Sequence, residues 1–263
     1  MPRLHLFEIE DQPWLPTYFR NVATGFLLVA HKVGKQNKLF TPKLESLIIK
    51  TGQRTIIDMG SGAGGPIRSI VEDLNNKGID ANAVLTDLYP NQKSVEIFAN
   101  EASDRITYES SSVDATDMPV HLRGIRTMIA SFHHLDEQTA QKVLLDAQSA
   151  HQPIAIFEGF GRNLAGFFIL LPLIFLPCLF VPFIKPFKLL NLLFTYVLPL
   201  IPFLVFFDGW VSYLRIYSQK ELAQLIEGLP SDDSYEWEIG SLGILKVPYL
   251  IGIPTLQNAS MLH

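Results

Sequence analysis

Between Thr55 and Glu158 the sequence alternates short apolar runs with turns and amphipathic stretches, and this alternation narrows the possible folds more than any other feature. Thr55-Ile-Ile-Asp-Met59 is a β-branched run that feeds Gly60-Ser-Gly-Ala-Gly-Gly65. Ile67 to Lys77 follows with helical spacing at Ile67, Ile70, Val71 and Leu74. Ala83 to Asp87 reads as a second strand, Pro90 to Ala102 as a helix and Ile106 to Glu109 as a third strand. Arg126 to Ser131 reads as a fourth strand, Asp136 to Ala150 as a helix and Ile154 to Glu158 as a fifth strand. Further on, Ser218-Gln-Lys-Glu221 is a capping box for a helix through Leu229, and Tyr235 to Gly240 and Pro248 to Ile253 suit two closing strands. Strands apolar on both faces, separated by helices, imply an α/β fold whose parallel sheet is covered on both sides. Such sheets bind ligands beyond the carboxyl ends of their strands, where Asp58, Gly60, Asp87, Ser131 and Glu158 fall.

Gly60, Gly62 and Gly65 match G-x-G-x-x-G, with Asp87 as the later acid. Alone this fits a nicotinamide dinucleotide, or glycines that only turn the chain. The surrounding residues separate the readings. Asp58-Met-Gly60-Ser61-Gly62-Ala-Gly64 resembles motif I of the class I S-adenosylmethionine-dependent methyltransferases. Asp87 resembles that family's ribose-binding acid, and Ser112-Val-Asp114-Ala115 its adenine-binding segment. Ser131-Phe-His-His-Leu135 resembles its motif IV. The resemblance runs over about Lys50 to Phe160 plus the closing strand pair. It implies a Rossmann-like, mostly parallel seven-stranded sheet with helices on both faces, and S-adenosylmethionine as cofactor. Asp58, Gly60, Ser61, Gly62, Asp87, Asp114, Ala115 and Ser131 would bind it. Tyr89-Pro-Asn-Gln-Lys93 spells the Tyr-x-x-x-Lys pair of short-chain dehydrogenases, but on the wrong strand and with a proline, so a nicotinamide oxidoreductase is the alternative, as is a non-catalytic nucleotide-binding module.

Methyl transfer is an in-line displacement that needs a positioned nucleophile and, for a hydroxyl or ammonium acceptor, a proton acceptor. His133 and His134 are the candidate bases, because imidazole titrates near neutrality and both sit at the mouth of strand four; lining the cofactor is the other role for this stretch. Glu158 either meets the acceptor or is a solvated strand-end charge. No cluster of carboxylates and histidines reads as a metal site. The single cysteine, Cys178, excludes an intramolecular disulfide and a Cys-cluster zinc site. A formal charge of −5 gives no electrostatic case for nucleic acid.

Composition matters in one place. Between Arg162 and Asp208 lie 45 residues, 33 of them hydrophobic, whose only charges are Lys185 and Lys188. They hold 10 of the 18 phenylalanines and 6 of the 17 prolines. Leu164 to Ile184 and Leu189 to Phe207 are each long enough to cross a bilayer as helix. Pro172, Pro177, Pro182, Pro199 and Pro202 would interrupt such spans, and a full crossing would carry both lysines away from the catalytic side. The expectation is therefore an apolar helical hairpin inserted after strand five that dips into the membrane, with a buried helical pair as the alternative. It divides the chain into a helical lid segment (1–50), a core (51–162 and 208–255) and a membrane-associating insertion (163–207). An element of this kind beside the reacting methyl points to a lipid, quinone-like or isoprenoid acceptor.

Arg215 and Tyr217 follow the insertion and are candidates for an anionic head group and an acceptor oxygen, unless Arg215 pairs with Asp208. Trp14 and Tyr18 would supply a lid or aromatic wall, or ordinary packing. Phe19 to Val33 reads as a helix and Pro42 to Lys50 as another, capped by Thr41. The charges at Arg3, Glu8, Glu10 and Asp11 leave no signal-peptide core, which places the catalytic domain on the cytoplasmic side. The last ten residues read as a tail, and nothing in the sequence fixes an oligomeric state.

Overall fold

A computed structural model describes residues 2–100, 105–170, 172, 175–181 and 188–255. Pro182, Lys185, the expected helix end at Ala102 and the final residues of the tail lie outside them.

The strands are β1 (Thr55–Met59), β2 (Asn82–Thr86), β3 (Ile106–Tyr108), β4 (Ile125–Ile129), β5 (Ile154–Phe157), β6 (Tyr235–Leu242) and β7 (Val247–Pro254). They form one seven-stranded sheet in the order β3-β2-β1-β4-β5-β7-β6. The five strands of the alternating segment are parallel, while β7 runs antiparallel between β5 and β6. Order reverses on either side of β1 and β4, which opens a crevice at their carboxyl ends.

Neighbouring residues of β1 face opposite layers, as a pleated strand requires. Ile56 packs with Phe40 and Leu44 of α2 (Asn37–Thr51) and with Ile67, Ile70, Val71 and Leu74 of α3 (Ile67–Asn76). Ile57 packs on the other side with Val143 and Leu144 of α5 (Glu137–Ser149) and Leu222 and Leu225 of α10 (Gln219–Glu227). The remaining sheet helix is α4 (Gln92–Ala99), capped by Asn91. Ser218 and Glu221 form the expected capping box of α10.

One helix start needs correcting. Thr41 does not cap a helix at Pro42; α2 begins at Asn37 and carries Pro42 inside it. Thr41 donates its hydroxyl to the Asn37 carbonyl at 2.8 Å, and burial of Phe40 and Leu44 holds the extra turn in place.

The apolar segment is not two straight rods. It contains α6 (Leu164–Leu170), α7 (Leu176–Phe180), α8 (Leu189–Leu192), a π-helical turn over Leu193–Val197 and α9 (Leu200–Arg215). Pro199 stands at the N-cap of α9, and Pro202 lies in its first turn, where a missing N–H costs no helical bond. Among the described residues no single helix is long and apolar enough to cross a membrane; the pair Leu189–Val197 and Leu200–Arg215 passes by length and composition but bends by 71°. α9 also runs through the expected boundary at 207/208, so the insertion returns to the core without a break. Its residues Ile201 and Val205 pack with Val181 against Val22 and Phe26 of α1 (Thr17–Gly34). Leader helix and insertion thus share one small core above the sheet.

Candidate functional site

The loop after β1 turns through glycines at positive φ: Gly60 at 65°, Gly62 at 53°, Gly64 at 91° and Gly65 at 38°. A side chain in this backbone region is strained, which explains the run of glycines. Space over the loop is uneven. A Cβ on Gly62 would meet nothing within 4 Å, whereas one on Gly64 would lie 2.7 Å from Phe98.

Three carboxylates surround the loop at different depths. Asp58 is buried beneath it, where the β1–β4 register sets it opposite Thr127. Its Oδ1 accepts from the Thr127 hydroxyl and its Oδ2 from the Ser61 hydroxyl, both at 2.7 Å. Burial pushes its pKa up to about 6 despite these bonds, and the Asp87 charge adds to the rise. Asp87 lies at the rim, its Oδ2 accepting from Gly62 N–H and its Oδ1 from Tyr89 N–H, each at 2.9 Å. The Tyr108 hydroxyl donates to the Gly62 carbonyl from the other side. Asp114 is tied to Asp87 through the neighbouring Val113 N–H, which donates to the Asp87 carbonyl. Its own carboxylate accepts from the Thr116 amide and hydroxyl. Ala115 is partly buried against the sheet core. Ser131 closes the rim, with its Oγ 3.5 Å from where a Gly60 Cβ would stand. Ala130, directly before it, is held at φ 54°. Strain of this kind at a non-glycine residue is found where surroundings fix an unusual backbone. The residues expected to bind the cofactor therefore gather around one loop.

Beside the rim, His133 and His134 form a 3₁₀ turn with their ring centroids 4.4 Å apart. His133 Nδ1 lies 2.7 Å from Glu158 Oε2, and both residues are buried. With Glu158 Oε2 as the acceptor, Nδ1 donates and Nε2 is left uncommitted to the carboxylate. His134 Nδ1 lies 3.3 Å from Asp11 and 3.4 Å from Glu8. Burial lowers the His134 pKa, but the Asp11 hydrogen bond and the Glu8 charge outweigh it and raise it to about 8.

The acceptor candidates are placed differently from expectation. Arg215 does not pair with Asp208. Its buried guanidinium lies 3.3 Å from Glu8 and from Asp11 and donates to the His134 carbonyl. Tyr217 is buried, donates to the Leu135 carbonyl at 2.9 Å, and lies under the Arg3 guanidinium at 3.8 Å. The terminal nitrogens of Arg215 and the hydroxyl proton of Tyr217 are thus spent inside the protein. Tyr18 donates to Asn191 at 2.6 Å, joining α1 to α8, while Trp14 is 65% exposed.

The sequence marks the leader as a lid but not the partners that hold it. Arg3 donates to the carbonyls of His133, Leu135 and Arg215. Asp208 accepts from the Ile9 and Glu10 amides at 2.7 and 2.9 Å, and burial raises its pKa to about 6. Glu10 rises to about 7, through burial first and then Asp208. Residues 2–16 thereby lie across the mouth of β4.

The sequence matches no protein-family model, and no curated protein matches it. Solved structures do share the fold. The plantazolicin methyltransferase BpumL bound to SAH superposes with a TM-score of 0.52 at 10% identity, over 91% of this chain and 98% of that one. The same enzyme with a pentazolic desmethylPZN analogue and SAH gives 0.52 at 11% identity, over 92% and 100%. This chain therefore shares the fold of these methyltransferase structures, a seven-stranded Rossmann-like sheet.

Proposed function

We propose that this protein is an S-adenosylmethionine-dependent methyltransferase acting on a hydrophobic acceptor at a membrane surface. The observation that carries the reading is the gathering of Asp87, Asp114 and the open backbone at Gly62 on one rim, beside a buried His133–Glu158 pair. The fit to the cofactor rests on that rim. Asp87 is a carboxylate suited to two ribose hydroxyls, Asp114 stands next to it for the adenine amino group, and Gly60 and Gly62 let a ligand approach the backbone. The buried charge of Asp58 lies under the loop as a partner for the ammonium of the amino-acid end. When bound, S-adenosylmethionine supplies a methyl group on a sulfonium, which leaves as neutral sulfide when the acceptor's lone pair takes the carbon. The chain's part is to hold the acceptor in line and remove its proton. His133 Nε2 takes that proton, and Glu158 on Nδ1 holds the ring and stabilises the imidazolium. That BpumL is bound to SAH supports the cofactor assignment.

The acceptor class and membrane seat rest on the insertion. Phe175, Leu189, Val197, Leu198 and Phe203 are each more than half exposed, in a stretch from Asn163 to Phe207 that has no acidic residue. Exposed large apolar side chains gathered in one segment are what an interaction site presents. The 71° bend and short helices favour embedding in one leaflet over two crossings. A bilayer-embedded cap next to the rim would deliver a lipid, quinone-like or isoprenoid molecule from the membrane, with the catalytic domain on the cytoplasmic side.

Calorimetric titration with S-adenosylhomocysteine and with NAD tests the cofactor: binding of the first and not the second is expected, and the reverse would establish the nicotinamide alternative. Incubation with labelled cofactor and extracted lipids, followed by mass spectrometry for a gain of one methylene, tests the acceptor. Flotation with lipid vesicles tests the seat; Leu198→Asp with Phe203→Asp should leave the vesicle fraction, and undiminished flotation would refute the embedded cap.

A further inference from the structure

We propose that Glu8, His133 and His134 form a binding site for one divalent transition-metal ion, zinc by ligand type, which latches the leader to the sheet and occupies the proposed base. A ring nitrogen of each histidine and a carboxylate oxygen of Glu8 lie within 4.8 Å of one another. Ligands about 2.0–2.1 Å from a tetrahedral zinc stand roughly 3.3–3.4 Å apart. One edge already has that length: Glu8 Oε2 to His134 Nδ1 at 3.4 Å. Asp11 stands beside His134 but outside the group of three, its Oδ2 shared with Arg215, so the fourth position is left to solvent.

The surroundings are those of a built site. Glu158 holds Nδ1 of His133, leaving Nε2 to ligate, which is the carboxylate–histidine arrangement found behind metal-bound imidazoles. The other oxygen of that carboxylate, Glu158 Oε1, is buried with no hydrogen-bond partner among the described residues. Glu8 is oriented from its far side: Oε1 accepts from Ser212 at 2.9 Å and faces Arg215 at 3.3 Å, which leaves Oε2 toward His134. Glu8 and His133 are 3% and 5% exposed, whereas His134 is about a third exposed and gives the ion a way in.

Two imidazoles with a carboxylate select zinc, cobalt or nickel over magnesium or calcium, which prefer oxygen.

An ion here would take the lone pair that the proton transfer needs, so occupancy and turnover exclude each other. That consequence rests on the methyl-transfer reading; the binding itself does not. The test titrates the full-length, chelator-stripped protein with Co²⁺, reading the visible bands of a four-coordinate ion, then displaces it with Zn²⁺. One equivalent is expected, with no response to Mg²⁺. Glu8→Gln and His134→Ala should each weaken binding at least about tenfold, and His121→Ala should not, all three retaining S-adenosylhomocysteine affinity as proof of folding. Failure to bind Co²⁺ at one equivalent, or binding that survives both ligand substitutions, overturns the site. Zn²⁺ should also abolish turnover in step with occupancy, and full turnover at saturation would overturn the occupied base. A stoichiometric Co²⁺ complex in a chain that transfers no methyl group would uphold the site and refute the proposed function.

Discussion

Replacing Asp58 with asparagine should stabilise the protein at alkaline pH and do nothing for it in acid. The carboxyl is 5% exposed, and its pKa rises from 3.8 to about 6, chiefly through burial. Because the folded chain holds this proton more tightly than the unfolded one, the group's contribution is complete below pH 4. It declines as pH rises and is lost once pH passes 6. A displacement of about two pH units corresponds to about 3 kcal/mol. Asparagine keeps the local bonds: Oδ1 still accepts from Thr127, while the amide donates to Ser61 Oγ, whose proton stays on the residue-58 carbonyl at 2.7 Å. Urea unfolding followed by tryptophan fluorescence should therefore give equal stabilities for the two proteins near pH 4, and an advantage of about 3 kcal/mol for Asp58→Asn at pH 8. A variant equally or less stable than the wild type at pH 8 would refute the reasoning, since it would mean the buried charge costs nothing. The same substitution should weaken S-adenosylhomocysteine binding at pH 8, because the chain keeps that charge under the loop at the expense of stability.

Other substitutions probe separate parts of the site. Glu158→Gln preserves an acceptor for His133 Nδ1 but removes the charge that stabilises the imidazolium; kcat should fall about 10²-fold with cofactor affinity unchanged, and an unaltered kcat would remove His133 from the chemistry. Asp87→Ala should weaken S-adenosylhomocysteine binding by at least about tenfold in calorimetry, the loss of one hydrogen bond to a charged group. Gly64→Ala places a Cβ 2.7 Å from Phe98 on a backbone at φ 91°, and thermal unfolding should report a loss of about 2–3 kcal/mol. Asp146→Ala strips the partner from buried Arg126, joined at 2.5 Å, and should cost about 3 kcal/mol in urea unfolding without touching cofactor affinity.

The segment from Thr55 to Phe157 was legible because its signals are local. A β-branched run, a glycine turn and four apolar residues at helical spacing each act within a dozen residues, and β1 falls on the span read from the sequence. Pro42 misled for the same reason. Its local preference is a helix start, but Phe40 and Leu44 gain enough from burial to extend α2 past it. Pro177 and Pro199 do stand at helix starts, but Pro202 lies inside α9, and the prolines gave neither the 71° bend nor the packing of Ile201 and Val205 on α1.

By itself the sequence determined the layered α/β sheet, the glycine loop and the acids at the strand ends, since chain connectivity and side-chain periodicity fix these. Only the tertiary structure decided what stands against what. Asp11 reaches His134 across 123 residues, Arg215 turns from Asp208 to Glu8 and Asp11, and the leader lies over the mouth of β4. The physical reason is that a charge carries no local record of its partner. Pairing of buried ions depends on which distant backbones are brought together when the apolar layers close, and that is settled by packing of the whole chain.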